Sequence, residues 1–218
     1  MQEKECGIVL KRFTTSQHKF YLLAGSLGKI ALVVFNQGVM RRIQVGTLIE
    51  FDFPKKQGNV HTAQQLAISL LPITQKPDDL LWLHHMLELC YYFIPLHQPS
   101  TECFIILKNS LTLLAHSDQF LDWETVKKLC LGALLLCLGF FPPDHLQRPI
   151  IMTKNALFLS VDFQDAQKVE FLSKHLKKFC TVAHEELDMW LLQCIQSHPR
   201  VNMFKTIHFM YQSSTSFK

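Results

Sequence analysis

The sequence predicts an α+β protein: an N-terminal OB-type β-barrel followed by an all-helical domain with a small β-hairpin. Three observations support this fold class. Short runs of β-forming residues, separated by turn residues, fill the first third of the chain. After Pro77 the apolar residues recur at helical spacing. A later run, residues 129–141, contains no charged residue at all. We therefore expect two domains, residues 1–76 and 77–218.

The predicted strands are short and rich in Val, Ile, Leu and Phe. Four of them precede a polar loop around Lys55-Lys-Gln-Gly58, and a fifth, residues 65–73, follows it. The segment 65–71 could equally form one or two helical turns. Five short strands in so short a segment are typical of a small closed or nearly closed barrel, of which the OB-fold is the commonest. The first four predicted strands are residues 6–13, 19–24, 29–35 and 43–53.

The helical part begins where Asp78 and Asp79 open a helix that should end before Pro95. Two helices are predicted before the uncharged run and two after it. Between the uncharged run and the last two helices, residues 150–153 and 156–161 favour a hairpin that turns at Lys154-Asn155. The predicted flanking helices are residues 78–94, 100–116, 165–179 and 183–197.

The uncharged run predicts the central helix of the second domain. Residues 129–141 are apolar on every helical face, and a helix of this kind must be buried. Asp122 can cap its N-terminus, and Glu124 suits the helix dipole. Gly139 and then Pro142-Pro143 end it. The run is too short to span a bilayer, which takes roughly 18–20 apolar residues.

Charge is concentrated in the N-terminal quarter. Residues 1–60 hold nine Lys or Arg against four Asp or Glu, whereas residues 61–218 hold thirteen against fourteen. A polyanion is the partner that such an excess favours. The seven cysteines lie at least seven positions apart in apolar surroundings. This spacing favours reduced, buried thiols in a cytoplasmic protein over a disulfide framework, and the charged start 1–5 gives no sign of a secretion signal.

Cations alternate with aromatic residues along the predicted strands, which is the pattern that single-stranded nucleic acid requires. Phosphates meet the ammonium groups, and bases stack on the rings. The alternative is that a small barrel uses its Phe and Tyr residues for its own core. Further basic residues would extend the surface, although a plain solvated face could also explain them. The candidate DNA-binding residues are Lys11 with Phe13, Lys19 with Tyr21, Lys29 with Phe35, and the cations Arg12, Arg41, Arg42, Lys55 and Lys56.

No metal, cofactor or catalytic site is predicted. The segment His184-Glu-Glu-Leu-Asp188, with Cys180 one helical turn before it, supplies too few ligands for zinc. The segment Gly25-Ser-Leu-Gly-Lys29 lacks the first glycine and the Ser or Thr of a phosphate loop, so it predicts a hairpin turn. His84, His85 and Glu88 are interpreted as a helix surface.

Several motifs, in order along the chain, resemble the RecO family of DNA repair proteins. The resemblance covers roughly residues 5–145. The N-terminal motifs are Gly7-Ile-Val-Leu-Lys11, Gly28-Lys-Ile30, Gly38 with Arg41-Arg42, and Leu48-Ile-Glu50. The C-terminal motifs are Met86-Leu-Glu-Leu89 with Tyr91-Tyr92, Phe104-Ile-Ile-Leu107, and a Leu-rich helix that runs into Gly139-Phe-Phe-Pro-Pro143.

The resemblance implies a recombination mediator that binds single- and double-stranded DNA and anneals complementary strands. It implies partnership with RecR, with the acidic tail of the single-strand binding protein, and with RecA during loading. Arg41 and Arg42 would occupy the basic loop of that family. Many members also carry a four-cysteine zinc module after the Gly-aromatic-x-Pro turn, but here the next cysteine is Cys180. The alternatives are a protein-interaction module, an RNA-binding OB module or an enzyme.

Overall fold

The fold is given by a computed structural model that describes residues 4–13, 19–34, 42–52, 55–72, 76–120, 122–160, 165–176, 184–199 and 201–206. The described strands are β1 Lys4–Arg12, β2 Lys19–Ala24, β3 Gly28–Val34, β4 Leu48–Asp52, β5 Lys55–Gln57, β6 Val60–Ala63 and β7 Leu66–Leu70. The described α-helices are α1 Pro77–Phe93, α2 Thr101–Leu114, α3 Trp123–Cys137, α4 Asp144–Leu159, α5 Asp165–Leu176 and α6 His184–Gln196. The α+β class is confirmed.

The seven strands form one sheet in the order β5-β6-β3-β2-β1-β4-β7. Neighbouring strands are antiparallel except for β3 and β6, which are parallel. Within the described ranges the ladder does not join β5 to β7, so closure into a barrel stays a prediction. The predicted polar loop at residues 55–58 is wrong, because β5 and β6 form a hairpin there with Gly58 at φ 61° in its turn.

Strand alternation separates the sheet into an apolar inner face and a mixed outer face. On β2 the inner residues are Phe20, Leu22 and Ala24, which are fully buried in the core with Ile30 and Leu32 of β3. The residues between them point the other way and pair across the strands. These outer pairs are Lys19 with Val33, Tyr21 with Ala31, and Leu23 with Lys29.

The β2–β3 turn is a hairpin, as predicted, and its last residue is tightly enclosed. Gly28 has φ 69°, a conformation that glycine adopts without strain, and a Cβ there would overlap the carbonyl oxygen of Gln98. Next to it, the backbone N–H of His97 donates to the carbonyl oxygen of Lys29 at 2.8 Å, and Lys29 and Leu96 form a parallel bridge. The segment that follows α1 therefore lies directly on the start of β3.

The chain divides into two compact units that do not follow one cut in the sequence. Unit 1 comprises Met1–Gln75 with Leu87–Phe104, and unit 2 comprises Lys76–Met86 with Ile105–Lys218. Backbone pairing of residues 96–97 with β3 explains why the segment after α1 belongs to unit 1. The division into separate domains at residues 1–76 and 77–218 stays a prediction.

Helix α3 forms the predicted central helix of the second unit, but the buried run is shorter than expected, because residues 136–138 are half-buried and Phe141 is 81% exposed. Asp122 caps it by accepting from the backbone N–H of Thr125 at 3.0 Å. At its other end Gly139 has φ 94°, and the N–H of Phe140 reaches back to the carbonyl oxygen of Leu135 at 3.0 Å, which is a Schellman motif. The apolar residues from Leu129 to Leu135 are buried. A Cβ on Gly132 would lie 3.2 Å from Ile150 of α4 and 3.3 Å from Trp190 of α6.

The predicted hairpin within residues 150–161 is wrong, because residues 144–159 form helix α4. Its buried residues follow helical spacing, and the Thr153 hydroxyl donates to the carbonyl oxygen of Pro149 at 2.8 Å, one turn earlier. Pro149 lacks the N–H that would continue the ladder, so the sequence around it does not look like a helix interior. The free energy gained by burying one face of α4 outweighs the loss of the hydrogen bond that Pro149 cannot donate. The buried residues are Leu146, Pro149, Ile150, Thr153, Ala156 and Leu157.

His85 does not lie on a helix surface, in contrast to the interpretation drawn from the sequence. It is 2% exposed, and its Nδ1 lies 2.6 Å from the Thr206 hydroxyl within unit 2. Burial lowers the pKa of His85 to about 4, because the charged ring would lose its hydration. The imidazole is therefore neutral in the folded protein at neutral pH.

Stability should fall in mild acid because of His85. The unfolded chain protonates this side chain near pH 6.5, but the folded protein does so only near pH 4. Its contribution is therefore complete above pH 6.5 and is lost as the pH falls to 4, by about 3 kcal/mol in total. Urea unfolding across this range should show a flatter profile for His85→Gln. Equal flattening in His84→Gln, on the same helix, would show that the effect is not specific to His85.

None of the described helices is both long enough and apolar enough to cross a membrane.

Candidate nucleic-acid interface

Four half-buried aromatic rings form a continuous row in unit 1. The ring centre of Phe13 lies 4.7 Å from that of Tyr21, and Tyr21 lies 5.4 Å from Tyr91. Tyr92 continues the row at 4.9 Å from Tyr91. All four side chains keep part of their surface in solvent. The tilted and edge-on ring angles are those that aromatic pairs prefer, so the row is also a stable packing arrangement.

Two lysines lie over this row. The ammonium nitrogen of Lys11 is 4.7 Å from the ring centre of Tyr91, and that of Lys19 is 4.7 Å from Phe13. Lys11 is exposed and Lys19 half-buried. A cation over a ring is held in place by the negative charge of the ring face, yet it keeps N–H groups for another acceptor. We call the six residues the cation–aromatic strip: Lys11, Phe13, Lys19, Tyr21, Tyr91 and Tyr92.

The local structure explains why these residues meet. Lys11 pairs directly with Tyr21 across β1 and β2 after a register shift at Val9. Lys19 and Tyr21 both point to the outer face of β2, away from the core cluster. Tyr91 and Tyr92 lie in the last turn of α1. Sequence reasoning found the strand residues by alternation but missed the two tyrosines, because only tertiary structure brings a helix end to the sheet.

Lys29 is not an exposed candidate. It is 7% exposed, and its ammonium group donates to the carbonyl oxygen of Tyr91 at 2.6 Å. The same nitrogen lies 5.2 Å from the centre of the Tyr91 ring. A cation buried in this way cannot meet a phosphate without leaving its site. We therefore remove Lys29 from the candidate DNA contacts.

The remaining candidates lie apart from the strip or have structural bonds. Arg12 donates from Nη1 to the carbonyl oxygen of Ile43 at 2.9 Å, which ties β1 to the segment before β4. Arg42 is exposed. Lys55 and Lys56 are exposed on β5, which β6 and β3 separate from β2 in the sheet. Phe35 and Arg41 lie outside the described residues.

Comparison with curated proteins gives one clear relative. The DNA repair protein RecO of Caldicellulosiruptor saccharolyticus is 25% identical to this chain over an alignment of 202 residues, which covers 84% of the chain and 81% of that protein. The resemblance to RecO is confirmed. No family model matches the chain. The alignment is longer than either compact unit, so the likeness to RecO extends beyond the strand-rich part.

The zinc module that a RecO resemblance suggests has no counterpart in the described part of the chain. There, no group of three or more His, Cys, Asp or Glu side chains could hold a metal ion. Asp188 of the half-motif instead forms an ion pair with Lys128, Oδ2 to Nζ, at 2.6 Å. Cys180 lies outside the described residues. Cys130 is a packing thiol, because it is fully buried and burial raises its pKa to about 12.

Proposed function

We propose that this protein is a RecO-like recombination mediator in DNA repair. In this proposal it binds single- and double-stranded DNA, anneals complementary strands and helps a RecR-like protein to load RecA. It performs no covalent chemistry itself. Its further partner is the acidic tail of a single-strand binding protein, and it works in the cytoplasm at the nucleoid. The likeness to the DNA repair protein RecO of Caldicellulosiruptor saccharolyticus supports the repair role.

The cation–aromatic strip is the observation that carries the DNA-binding part of the proposal. Its rings are spaced 4.7–5.4 Å apart and remain partly accessible. Lys11 and Lys19 lie over the two ends of the Phe13–Tyr21–Tyr91 row. Bases can stack on such rings while phosphates replace the ring faces as partners of the ammonium groups. Exposed Arg42, Lys55 and Lys56 would add charge for the duplex or for a longer strand.

The affinity for single strands should depend on the two strip lysines in a way that net charge cannot reproduce. Lys11→Ala with Lys19→Ala should weaken binding similarly for every sequence, because phosphates carry no base information. The plot of log affinity against log salt should become shallower by about 1.4, since each phosphate contact on a single strand contributes roughly 0.7. Fluorescence anisotropy of labelled oligonucleotides over a salt series measures both effects.

The matched control is Arg148→Ala with Lys174→Ala, which removes two exposed charges from unit 2. This pair should leave the slope near the wild-type value. An equal loss in both double variants would mean that net charge, not the strip, governs binding. If the wild-type protein bound no nucleic acid at low salt, the protein-interaction alternative would replace the proposal.

A further inference from the structure

We infer that Lys29 is a positioning residue, which fixes the C-terminal turn of α1 so that Tyr91 is presented to nucleic acid. This inference rests on the proposed function, because it assigns a role within the cation–aromatic strip. It differs from the sequence-based expectation that Lys29 contacts DNA.

The carbonyl oxygen of Tyr91 would be an orphan without Lys29. In a continuing helix it would accept from the backbone N–H four residues later, and that residue is Pro95, which has no N–H. The preceding carbonyl, Cys90, does have such a partner, since Ile94 N–H donates to it at 3.3 Å. The Lys29 ammonium group donates to Tyr91 O at 2.6 Å and so takes the place of the missing N–H.

The charge of Lys29 also suits this place. The C-terminal end of a helix carries a partial negative charge, and α1 has no basic residue of its own in its last turn. Lys29 supplies that cation from β3. Burying an ammonium group is costly unless it is hydrogen-bonded, and the carbonyl oxygen of Tyr91, at 2.6 Å, provides an acceptor. The lysine therefore stabilises this helix end in one position on the sheet.

Two ammonium groups lie over the Tyr91 ring, and they differ in accessibility. Lys29 lies 5.2 Å from the ring centre and is 7% exposed, whereas Lys11 lies 4.7 Å away and is exposed. A phosphate in solvent can reach Lys11, whereas Lys29 is buried and bound to the carbonyl oxygen of Tyr91. The bridge pairing of Lys29 with Leu96, in which the N–H of His97 donates to the carbonyl oxygen of Lys29, holds the chain after the helix as well. Lys29 thus acts through Tyr91.

The test separates loss of stacking from loss of a phosphate contact. The full chain is titrated with an oligothymidylate and with a strand of equal length made of abasic sites. Lys29→Met should lower the preference for the strand with bases by about tenfold, which is the contribution of one stacked base, and leave the salt slope unchanged. Lys11→Met, the matched control, should reduce the slope by about 0.7 and leave the preference for bases intact.

Tyr91→Leu should lose the same preference, and adding Lys29→Met to it should cause no further loss, because both substitutions remove one function. If Lys29→Met reduces the salt slope as Lys11→Met does, Lys29 is a phosphate contact and the inference is wrong. If the wild-type protein shows no preference for bases, or Tyr21→Leu leaves that preference unchanged, the proposed strip itself fails.

A measurement on the wild-type protein keeps the inference testable even if Lys29→Met does not fold. Acetylation of lysines, read out by peptide mass spectrometry, should find Lys29 protected both with and without oligothymidylate. Lys11 should react freely alone and become protected when the strand is bound. Reactivity of Lys29 that equals that of Lys11 without DNA, and falls on binding, would overturn the positioning role.

Discussion

Leu135→Ala should lower the free energy of unfolding by about 2–5 kcal/mol. Leu135 is fully buried near the C-terminal end of α3, the helix that packs against α4 and α6. Truncation removes apolar contact and leaves a cavity that the neighbouring helices can fill only partly. That loss is a large share of the roughly 5–15 kcal/mol by which a typical domain is stable. Urea unfolding monitored by circular dichroism measures it.

Leu136→Ala is the matched control, because Leu136 is the adjacent residue of the same helix and only half-buried. It should cost clearly less, although the two side chains are chemically identical. A loss below about 1 kcal/mol for Leu135→Ala would mean that α3 is not the centre of its unit. Similar losses for both substitutions would instead show that the difference in burial between the two side chains does not determine the effect, since Ala is the better helix former at both positions.

Asp79→Ala should destabilise the protein by about 3–5 kcal/mol, since it breaks a buried ion pair and leaves the cation behind. Asp79 Oδ1 accepts from Lys127 Nζ at 3.1 Å and from the indole N–H of Trp123 at 2.8 Å. Asp79 and Lys127 are 1% and 4% exposed. Burial opposes the charge on Lys127, but hydrogen bonds and attraction from Glu124 and Asp79 outweigh it and raise its pKa. The lysine is therefore charged in the intact protein, and Asp79→Ala leaves it with Glu124 as its carboxylate partner.

Removing both charges tests this explanation. Asp79→Leu combined with Lys127→Met should recover much of the stability lost in Asp79→Ala, because apolar side chains of similar size can replace a buried pair. The indole N–H of Trp123 would still lack its acceptor, which limits the recovery by about 1–3 kcal/mol. Thermal unfolding of the three proteins at one pH provides the comparison. If the single substitution is harmless, Glu124 alone satisfies Lys127, from which it lies at 2.6 Å.

Strong local signals predicted most of the secondary structure. The uncharged run, with Asp122 before it and Gly139 after it, gave α3 because burial, capping and termination all agree. The β5–β6 hairpin was missed because β5 is only three residues long, wholly polar and at the sheet edge, and β6 has only four residues. Helix α4 was missed because Pro149 and its β-branched neighbours favour extended structure locally, and tertiary burial overrides that preference.

The candidate site could be predicted only where it depends on strand alternation. The period of two places Lys19 and Tyr21 on one face, and the structure agrees. Alternation says nothing about Tyr91, which reaches the strip from a helix, or about the burial of Lys29 by that helix end. Both facts depend on a tertiary contact. This contact adds Tyr91 to the candidate site and removes Lys29 from the candidate DNA contacts. The role of the strip in DNA binding stays a prediction.

The pairing of β3 with residues 96–97 makes completion of the first unit depend on the order of synthesis. The ribosome releases β1 to β7 well before the segment that covers Gly28 and Lys29. Unit 1 needs residues up to Phe104, and Gln75 is the last residue of its first segment. At roughly 5–20 residues per second, the intervening stretch takes about 1–6 s to make. During that interval the backbone of Lys29 is not yet paired with residues 96–97, and this part of the nascent sheet remains exposed. Unit 1 can be completed only when α2 has begun to emerge from the ribosome.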